Sequence, residues 1–263
     1  MTRYLHGHAD SVVSAHGART AENSAGYLLP HLTSDLRLLD VGCGPGSITL
    51  DLAERVGEVV GVDGSAAVIQ TARSAARTKG DDRTVFEVAD AFALPFADDS
   101  FDVTHAHQVL QHVGDPVALL REMARVTRPG GLVAVRDADY EAMTWAPAHP
   151  GLTQWLDVYR AAARGAGGEP DAGRHVLRWC HEAGLPEASA SASVWCFADD
   201  VSRAWWGGQW QRRAVESTFR DEVLDQGLGD EAMITEMVAG WRAWTDSPDG
   251  WFVIVHGEVL ARV

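Results

Sequence analysis

The feature that most constrains this chain is a glycine-rich segment, LLDVGCGPGS, at residues 38–47. An apolar run leads there into an acid and then into three closely spaced glycines, Gly42, Gly44 and Gly46. At the end of a parallel strand, glycines let the backbone approach a ligand more closely than any Cβ would allow. A second apolar run ends at Asp63, whose carboxylate can accept both hydroxyls of a ribose. Together these segments predict a nucleoside-binding site on an α/β sheet.

The spacing of the glycines limits which nucleoside fits. A dinucleotide fold requires G-x-G-x-x-G, whereas this chain has G-x-G-x-G followed by Ser47. The segment also lacks the Gly-Lys-Ser/Thr of a phosphate-binding P-loop. Asp40 adds a negative charge that repels a diphosphate and attracts a cationic amino group. The loop therefore favours a ligand with a ribose, a positive charge and no phosphate. S-adenosylmethionine meets that description, and NAD does not.

Three further segments follow the glycine loop: GVDGS, VADAFALPFADDSFDVTHAHQVLQHVGDP and LREMARVTRPGGLVAVRD. In order and spacing, the four segments resemble class I S-adenosylmethionine-dependent methyltransferases of the UbiE-like small-molecule type, over roughly residues 36–137. The resemblance implies an α/β fold with a doubly wound, Rossmann-like sheet of seven strands. It also implies that the last strand is antiparallel and that helical insertions form a lid.

Hydrophobic patterning independently predicts alternating strands and helices, which require a parallel sheet with right-handed crossovers. Strands are expected at 36–41, 58–62, 84–88, 101–105 and 132–135, and helices at 48–55, 66–78 and 116–126. Asp115 is placed to cap the last of these helices, and Pro116 suits its first turn.

The pattern changes beyond residue 138, because all ten Trp residues lie from Trp145 onward. Helices are expected over 149–183 with a break at 165–170, and again at 202–226 and 230–245, with strands at 191–197 and 251–260. We therefore predict an N-terminal helical cap (1–35), a cofactor-binding Rossmann-like core (36–137) and a lid and acceptor-binding region that includes the last two strands (138–263).

The resemblance also implies roles for particular residues at the carboxyl ends of the strands. Gly42 and Gly44 would take the methionine portion, Asp63 the ribose, and Asp90 with the backbone of Ala91 the adenine. Asp40, Cys43, Gly64, His107 and Gln108 complete the predicted cofactor contacts after the strands. Asp40 and Asp90 could instead cap loops, and Gly46 is expected to serve packing.

An N-terminal helix usually closes over the cofactor in this family, which makes Tyr4, His16 and Arg19 further candidates. Arg19 could hold the methionine carboxylate through a bidentate pair, although a solvated amphipathic helix explains these residues equally well. His112 follows the fourth strand, and an unperturbed pKa near 6.5 would suit a general base. A structural His at the start of the next helix is the competing interpretation.

Aromatic and Met residues recur at helical spacing in the last third of the chain. They are Trp205, Trp206 and Trp210 in one segment and Met233, Met237, Trp241 and Trp244 in another. Such stripes usually form core, but under a lid some rings could wall a cavity for a flat, apolar acceptor. Aromatic walls could also stabilise a sulfonium by cation–π attraction.

The formal net charge of −15 argues against a nucleic-acid surface. The sequence has no apolar run approaching the roughly 18 residues of a membrane span, and its first residues lack the apolar core of a signal peptide. A cytoplasmic protein is expected. Its three Cys have no metal-ligand spacing, so no metal site is expected. The Trp-rich segment could support a homodimer.

We predict methyl transfer from S-adenosylmethionine to a small organic acceptor, one that is aromatic, quinone-like or natural-product-like. Two alternatives stay open: a protein of the same fold that catalyses a non-methylating rearrangement, and a non-catalytic regulatory module. An NAD-dependent dehydrogenase is disfavoured by the glycine spacing. The sequence does not indicate whether oxygen, nitrogen, sulfur or carbon is methylated.

Overall fold

A computed structural model describes residues 19–216 and 218–263 of the chain. Its strands are β1 (Arg37–Val41), β2 (Glu58–Asp63), β3 (Val85–Val88), β4 (Phe101–His107), β5 (Thr127–Ala146), β6 (Glu187–Phe197) and β7 (Trp251–Arg262). Its α-helices are α1 (Ala21–Ala25), α2 (Ser47–Leu52), α3 (Ala66–Lys79), α4 (Pro116–Val126), α5 (Pro150–Gly165), α6 (Val176–Glu182), α7 (Asp200–Glu216), α8 (Thr218–Asp225) and α9 (Glu231–Asp246). Short 3₁₀ turns lie at Leu29–His31, Leu110–His112 and Ala172–Arg174.

All seven strands form one sheet in the order β3-β2-β1-β4-β5-β7-β6. The pairs among β1 to β5 are parallel, whereas β7 runs antiparallel to both β5 and β6. Strand order reverses between β1 and β4, because the chain winds outward to β3 and then returns to the other side of β1. The prediction of a doubly wound, seven-stranded sheet with an antiparallel last strand is confirmed.

The central strands are apolar on both faces because helices cover both. Leu38 of β1 joins a cluster with Ala21 and Leu52 from α1 and α2. Its neighbour Leu39 faces the opposite way and joins a cluster with Leu119 of α4. Alternate residues of one strand thus enter two different cores, which explains the continuous hydrophobic run that the sequence shows.

One element differs clearly from expectation. β5 begins at Thr127, directly after α4, and continues to Ala146, well past the expected end at residue 135. Pairing with β7 fixes this extension, since Leu132 to Asp139 and Thr144 to Ala146 all have partners there. The helix expected at 202–226 corresponds to α7 and α8, which the structure describes up to residue 216 and from residue 218. By contrast, Asp115 caps α4 as predicted, with Oδ1 accepting from the Ala118 amide at 2.9 Å.

Helices α5, α7, α8 and α9 cover the β5–β7 part of the sheet around a buried aromatic cluster. The cluster includes Trp155, Tyr159, Trp206, Trp210, Phe219, Trp241, Trp244 and Phe252. Trp155 lies near its centre, with ring centroids 4.5 Å from Trp210 and 4.7 Å from Trp241. The core interpretation of the two stripes is therefore correct for most members, while Trp205 and Met233 are only partly buried. None of the described helices is long and apolar enough to cross a membrane.

Candidate functional site

A cleft of about 820 Å³ opens at the carboxyl ends of β1, β2 and β4, where the strand order reverses. Twelve of the predicted site residues line it: Arg19, Asp40, Gly42, Cys43, Gly44, Asp63, Gly64, Asp90, Ala91, His107, Gln108 and His112. Tyr4 and His16 lie outside the described residues. The sheet thus brings together side chains that are up to 93 positions apart in sequence, from Arg19 to His112.

The glycine loop turns sharply between β1 and α2. The amides of Gly42 and Cys43 both donate to the Val62 carbonyl, at 2.8 and 2.9 Å, which holds the loop against β2. Gly42 has φ +71°, and a Cβ there would lie 2.5 Å from a methyl group of Val109. This glycine is therefore required both by its left-handed backbone and by the wall opposite.

Gly46 has the packing role expected of it. It caps α2 with φ +85°, and a Cβ would come within 2.8 Å of the Phe86 ring. Gly46 does not contribute to the described cleft wall, in contrast to Gly42 and Gly44. Only the first two glycines of the loop are therefore positioned for a ligand.

Asp63 ends β2 and faces the loop across the cleft. Its Oδ1 accepts from the Ser65 amide at 2.9 Å, and its Oδ2 accepts from the Gly44 amide at 3.3 Å. The side chain is half-buried, so part of the carboxylate faces the cavity. These two amides fix the orientation of a carboxylate at the end of a strand, where an acid can accept the hydroxyls of a ribose.

Asp40 is more deeply buried than a direct contact to the cofactor would require. Its Oδ2 accepts from the Thr49 hydroxyl at 2.6 Å, and its Oδ1 pairs with His105 Nδ1 at 2.8 Å. The side chain is only 3% exposed. Asp40 therefore places a negative charge under the loop while both of its oxygens already have protein partners. Asp90, in contrast, is exposed, and its Oδ1 accepts from the Phe92 amide at 2.9 Å in a tight turn.

Arg19 closes the cleft from the N-terminal side. Its Nη2 donates to Gln108 Oε1 at 2.6 Å, and its guanidinium carbon lies 5.4 Å from the centroid of the Trp195 ring. Gln108 follows β4 with φ +53°, a left-handed conformation unusual for this residue type. Its Nε2 lies 2.8 Å from His256 Nε2 on β7. The side-chain amide of Gln108 thus connects Arg19 to β7.

His112 lies at the inner end of the cleft, half-buried in its wall. Gln111 Oε1 accepts from the Ala138 amide, which leaves Gln111 Nε2 to donate to His112 Nε2 at 2.9 Å. Burial, together with the positive charges of Arg19 and Arg213, lowers the pKa of His112 to about 3. The expectation of an unperturbed pKa near 6.5 is therefore wrong, because the ring is desolvated beside two cations.

His107, at the end of β4, experiences the same environment. Its desolvation, reinforced by Arg19 and Arg136, holds the pKa of the imidazole well below its usual value. Both histidines on the cleft wall are consequently neutral at physiological pH. They can hydrogen-bond there, but they add no positive charge.

The cleft fits the predicted cofactor on three observations. Its volume lies in the range of small-molecule sites, roughly 300–1,000 Å³. Gly42 and Gly44 offer an approach to bare backbone, and Asp63 offers an oriented carboxylate about twenty positions further along the chain. Asp40 supplies a buried negative charge near a ligand expected to be cationic.

The model of a family described as a methyltransferase domain matches residues 32–185, more than half of the chain. The chain belongs to this methyltransferase family. The prediction of a class I S-adenosylmethionine-dependent methyltransferase is thereby confirmed, and S-adenosylmethionine is its cofactor.

Relatives of this methyltransferase match most of its length. An uncharacterised methyltransferase of Schizosaccharomyces pombe is 33% identical over 272 residues, which cover 98% of this chain and 96% of that protein. The 27-O-demethylrifamycin SV methyltransferase of Amycolatopsis mediterranei is 36% identical over 174 residues, 61% of this chain and 63% of that enzyme. Among solved structures, YcgJ of Bacillus subtilis superposes with a TM-score of 0.58 at 19% identity, covering 90% of this chain and 97% of its own. That likeness supports the shared fold.

The sequence analysis did not predict a second pocket beside the cleft. A second, much smaller pocket adjoins the cleft and shares Arg19, Gln108 and His112 with it. Its remaining walls are Gln111, Ala138, Tyr140, Met143, Trp195, Trp205, Trp206, Arg213 and Ile254. Of these, only Trp205 and Trp206 were singled out, through their helical spacing. The others come from β5, β6, β7, α7 and the 3₁₀ turn Leu110–His112, elements that lie far apart in the sequence.

Proposed function

We propose that this methyltransferase transfers the methyl group to a small organic acceptor with a flat, partly apolar body. The observation that carries the proposal is the inner pocket, which shares Gln108 and His112 with the cleft and has Trp195, Trp205 and Trp206 among its other walls. Aromatic walls of this kind favour planar or apolar ligands over extended polymers. The acceptor would lie in the cleft next to Gln108 and His112, which line both spaces.

The cofactor contacts remain those implied by the motifs, and the geometry of the cleft supports them. Gly42 and Gly44 would border the methionine portion with bare backbone, and Asp63 with Gly64 would bind the ribose. Asp90 and Ala91 would flank the adenine. Bound S-adenosylmethionine supplies a methyl group made electrophilic by its sulfonium, so the protein has mainly to align the acceptor and exclude water.

His112 would orient the acceptor rather than remove a proton from it. Its low pKa makes the neutral imidazole a weak base, and Gln111 already donates to its Nε2. The Nδ1–H of this tautomer is then the hydrogen-bond donor of the ring. Acceptors whose reacting atom is nucleophilic without a strong protein base suit this site best.

The proposal is tested by measuring S-adenosylhomocysteine release from purified protein. Calorimetric titration with S-adenosylmethionine, and separately with NAD, first establishes that the protein is loaded. A panel of phenols, catechols and quinols is then compared with peptides and oligonucleotides as acceptors. Release of S-adenosylhomocysteine only with small planar acceptors supports the proposal, and release only with a polymer contradicts it.

The same assay separates the two alternatives. A rearrangement enzyme would convert an added small molecule while S-adenosylmethionine stays intact. A regulatory module would bind S-adenosylmethionine and release no S-adenosylhomocysteine with any acceptor. Sedimentation of the loaded protein checks the predicted homodimer independently.

A further inference from the structure

A buried histidine of the last strand lies directly behind the cleft wall. His256 of β7 is 0% exposed, and strand pairing places it between Ala138 of β5 and Ser193 of β6. Its Nε2 lies 2.8 Å from Gln108 Nε2, and its ring centroid lies 4.5 Å from that of Trp195. Gln108 lines both the cleft and the inner pocket, and Trp195 lines the inner pocket. One buried side chain therefore supports two residues that border the space for ligands.

The same two residues contact Arg19 in the cleft wall. Gln108 Oε1 accepts from Arg19 Nη2 at 2.6 Å, and the Arg19 guanidinium carbon lies 5.4 Å from the centroid of the Trp195 ring. Trp195 is itself held in place, because its Nε1 donates to the Asn23 carbonyl at 2.7 Å. His256 therefore reaches Arg19 through an amide on one side and through an aromatic ring on the other.

The chemistry of Arg19 fixes the direction of each hydrogen bond in this chain. A guanidinium only donates, so the amide oxygen of Gln108 faces Arg19 and its NH₂ group faces His256. The Nε2 of His256 must then accept, which places the ring proton on Nδ1. Burial, reinforced by the charges of Arg136 and Arg19, holds the pKa of His256 well below its usual value. The ring is consequently neutral at physiological pH and keeps the lone pair that Gln108 needs.

Gln108 depends on side-chain partners for the direction of its amide. Its backbone is fixed at φ +53°, and its backbone N–H donates to the Arg136 carbonyl at 2.7 Å. Its side chain is only half-buried, because it faces the cleft. Without the acceptor behind it, the NH₂ group is free to turn toward water in the cleft, and the amide oxygen then leaves Arg19. His256 supplies the acceptor that prevents this rotation.

We infer that His256 is a positioning residue of the cofactor cleft, which holds the Gln108 amide so that Arg19 stays in the cleft wall beside the cofactor. His256 acts through Gln108 and lies behind the residues that line the cleft. The inference rests on the proposed cofactor contacts of the cleft, to which it adds Arg19 and Gln108 as contacts and His256 as their support. It concerns the affinity for S-adenosylmethionine and not the choice of acceptor.

The tautomer of His256 gives a direct test. Long-range ¹H–¹⁵N NMR spectra of the full-length protein, labelled with ¹⁵N-histidine, distinguish a proton on Nδ1 from one on Nε2. The signals of His256 are identified by their absence in His256→Gln. We expect a neutral ring with its proton on Nδ1 from about pH 5.5 to 8. A ring that carries its proton on Nε2, or that becomes charged within this range, overturns the inference because Gln108 cannot donate to it.

Calorimetric titration with S-adenosylmethionine tests the consequence for binding. His256→Leu keeps a side chain packed near Trp195 but removes the acceptor, and it should weaken binding about 5- to 20-fold. His256→Gln offers an oxygen in place of Nε2 and should keep most of the affinity. A His256→Leu variant that folds and binds as the wild type does overturns the inference. If that variant does not fold, a His256→Gln variant that binds more than about fivefold more weakly than the wild type overturns it, as does the wrong tautomer.

A control variant separates positioning from general destabilisation. Val259 is buried on the same strand, three positions further along, and packs in the cluster of Leu39 and Leu119 on the opposite face of the sheet. Val259→Ala should lower the stability of the protein and leave its affinity for S-adenosylmethionine unchanged. A loss of affinity equal to that of His256→Leu would show that any weakening of β7 has this effect, and it overturns the inference.

A double-mutant cycle tests whether His256 acts through Gln108. Gln108→Met removes the amide and should itself weaken S-adenosylmethionine binding. Once the amide is gone, His256→Leu should reduce the affinity by no more than about a further twofold. Losses that add in full show that His256 acts by another route and overturn the inference.

These outcomes are distinguishable from failure of the proposed function. If Asp63→Ala loses affinity while His256→Leu does not, the proposed cofactor contacts stand and only the role of His256 is lost. If Asp63→Ala and Gln108→Met both bind S-adenosylmethionine as the wild type does, the proposed contacts fail and this inference fails with them. Release of S-adenosylhomocysteine with small planar acceptors tests the proposed acceptor independently of either result.

Discussion

The two halves of this methyltransferase's site are built on different principles. The proposed cofactor half, around β1 and β2, uses backbone: the left-handed glycines Gly42 and Gly44 border the cleft, and Asp63 faces them. The proposed acceptor half, around β5 to β7, uses large side chains packed with an aromatic cluster from α5, α7, α8 and α9. A wall of backbone is encoded within a few neighbouring residues. A wall of side chains depends on the packing of distant elements.

The family match covers the whole of the proposed cofactor half but only part of the proposed acceptor half. The methyltransferase domain model covers residues 32–185, including β5 and α5, and ends before β6, so it omits β6, β7, α7, α8 and α9. Trp195, Trp205 and Arg213 of the inner pocket all lie in the omitted part. Part of the proposed acceptor half therefore lies outside the segment that this chain shares with the family model.

The largest expected effect is on the stability of the acceptor half. Trp155→Ala empties the centre of the aromatic cluster and should lower the free energy of unfolding by about 3–5 kcal/mol. Trp251→Ala, at a residue 41% exposed, should cost about 1 kcal/mol or less. Chemical denaturation measures both. If Trp155→Ala cost no more than the control, the cluster would not be the stability core of the acceptor half.

The next effect concerns the backbone wall. Gly42→Ala places a Cβ 2.5 Å from a Val109 methyl at φ +71° and should weaken S-adenosylmethionine binding about 10- to 100-fold. Gly80→Ala is matched in backbone strain, with φ +72°, but its Cβ would meet no described atom within 4 Å. This control should lose about 1 kcal/mol of stability and no affinity. Calorimetry measures S-adenosylmethionine affinity in both variants. An equal loss of affinity in the two would contradict the role of Gly42 in the cleft wall.

A smaller loss is expected at Asp63, the acid that we propose binds the ribose. Asp63→Ala removes the oriented carboxylate and should weaken S-adenosylmethionine binding at least about tenfold, or about 1.4 kcal/mol. Asp82→Ala, at an exposed acid after α3, controls for the loss of one negative charge. Unchanged affinity in Asp63→Ala would remove Asp63 from the cofactor site.

The smallest effect is expected where the two halves meet. Because the pKa of His112 is lowered to about 3, raising the pH from about 6 to 9 leaves its ring neutral throughout. The rates of the wild type and of His112→Asn should therefore depend on pH in the same way over that range, even if their magnitudes differ. An inflection near pH 6.5 in the wild type that the variant lacks would restore His112 as a general base.

The residues that the sequence predicts for the cofactor line one cleft because their positions are set locally. Positive φ at Gly42 and Gly44 and the position of Asp63 after an apolar run are encoded in the motifs themselves. The deep burial of Asp40 could not be predicted, because the partners of its carboxylate, Thr49 and His105, become neighbours only when β1 lies between α2 and β4. Local patterns do not contain such contacts.

The acceptor half was predicted only in outline for the same reason. The pKa of His112 depends on Arg19 and Arg213, which lie far from it in sequence in opposite directions. The insertion of β7 between β5 and β6 likewise depends on pairing, and the alternation within each strand does not specify its neighbour. The helical stripes indicated a core correctly but not which of its rings reach a pocket.

The position of β7 also sets an order of assembly. Synthesis produces β7 after every other strand of this sheet, yet β7 hydrogen-bonds β5 on one side and β6 on the other. Until it emerges from the ribosome, two neighbouring strands each expose an unpaired edge, the kind of surface that recruits other chains. Its His256 also reaches Gln108 beside the cofactor cleft. A nascent chain that already contains the whole glycine loop therefore still lacks the strand that supports Gln108 at the edge of the cleft.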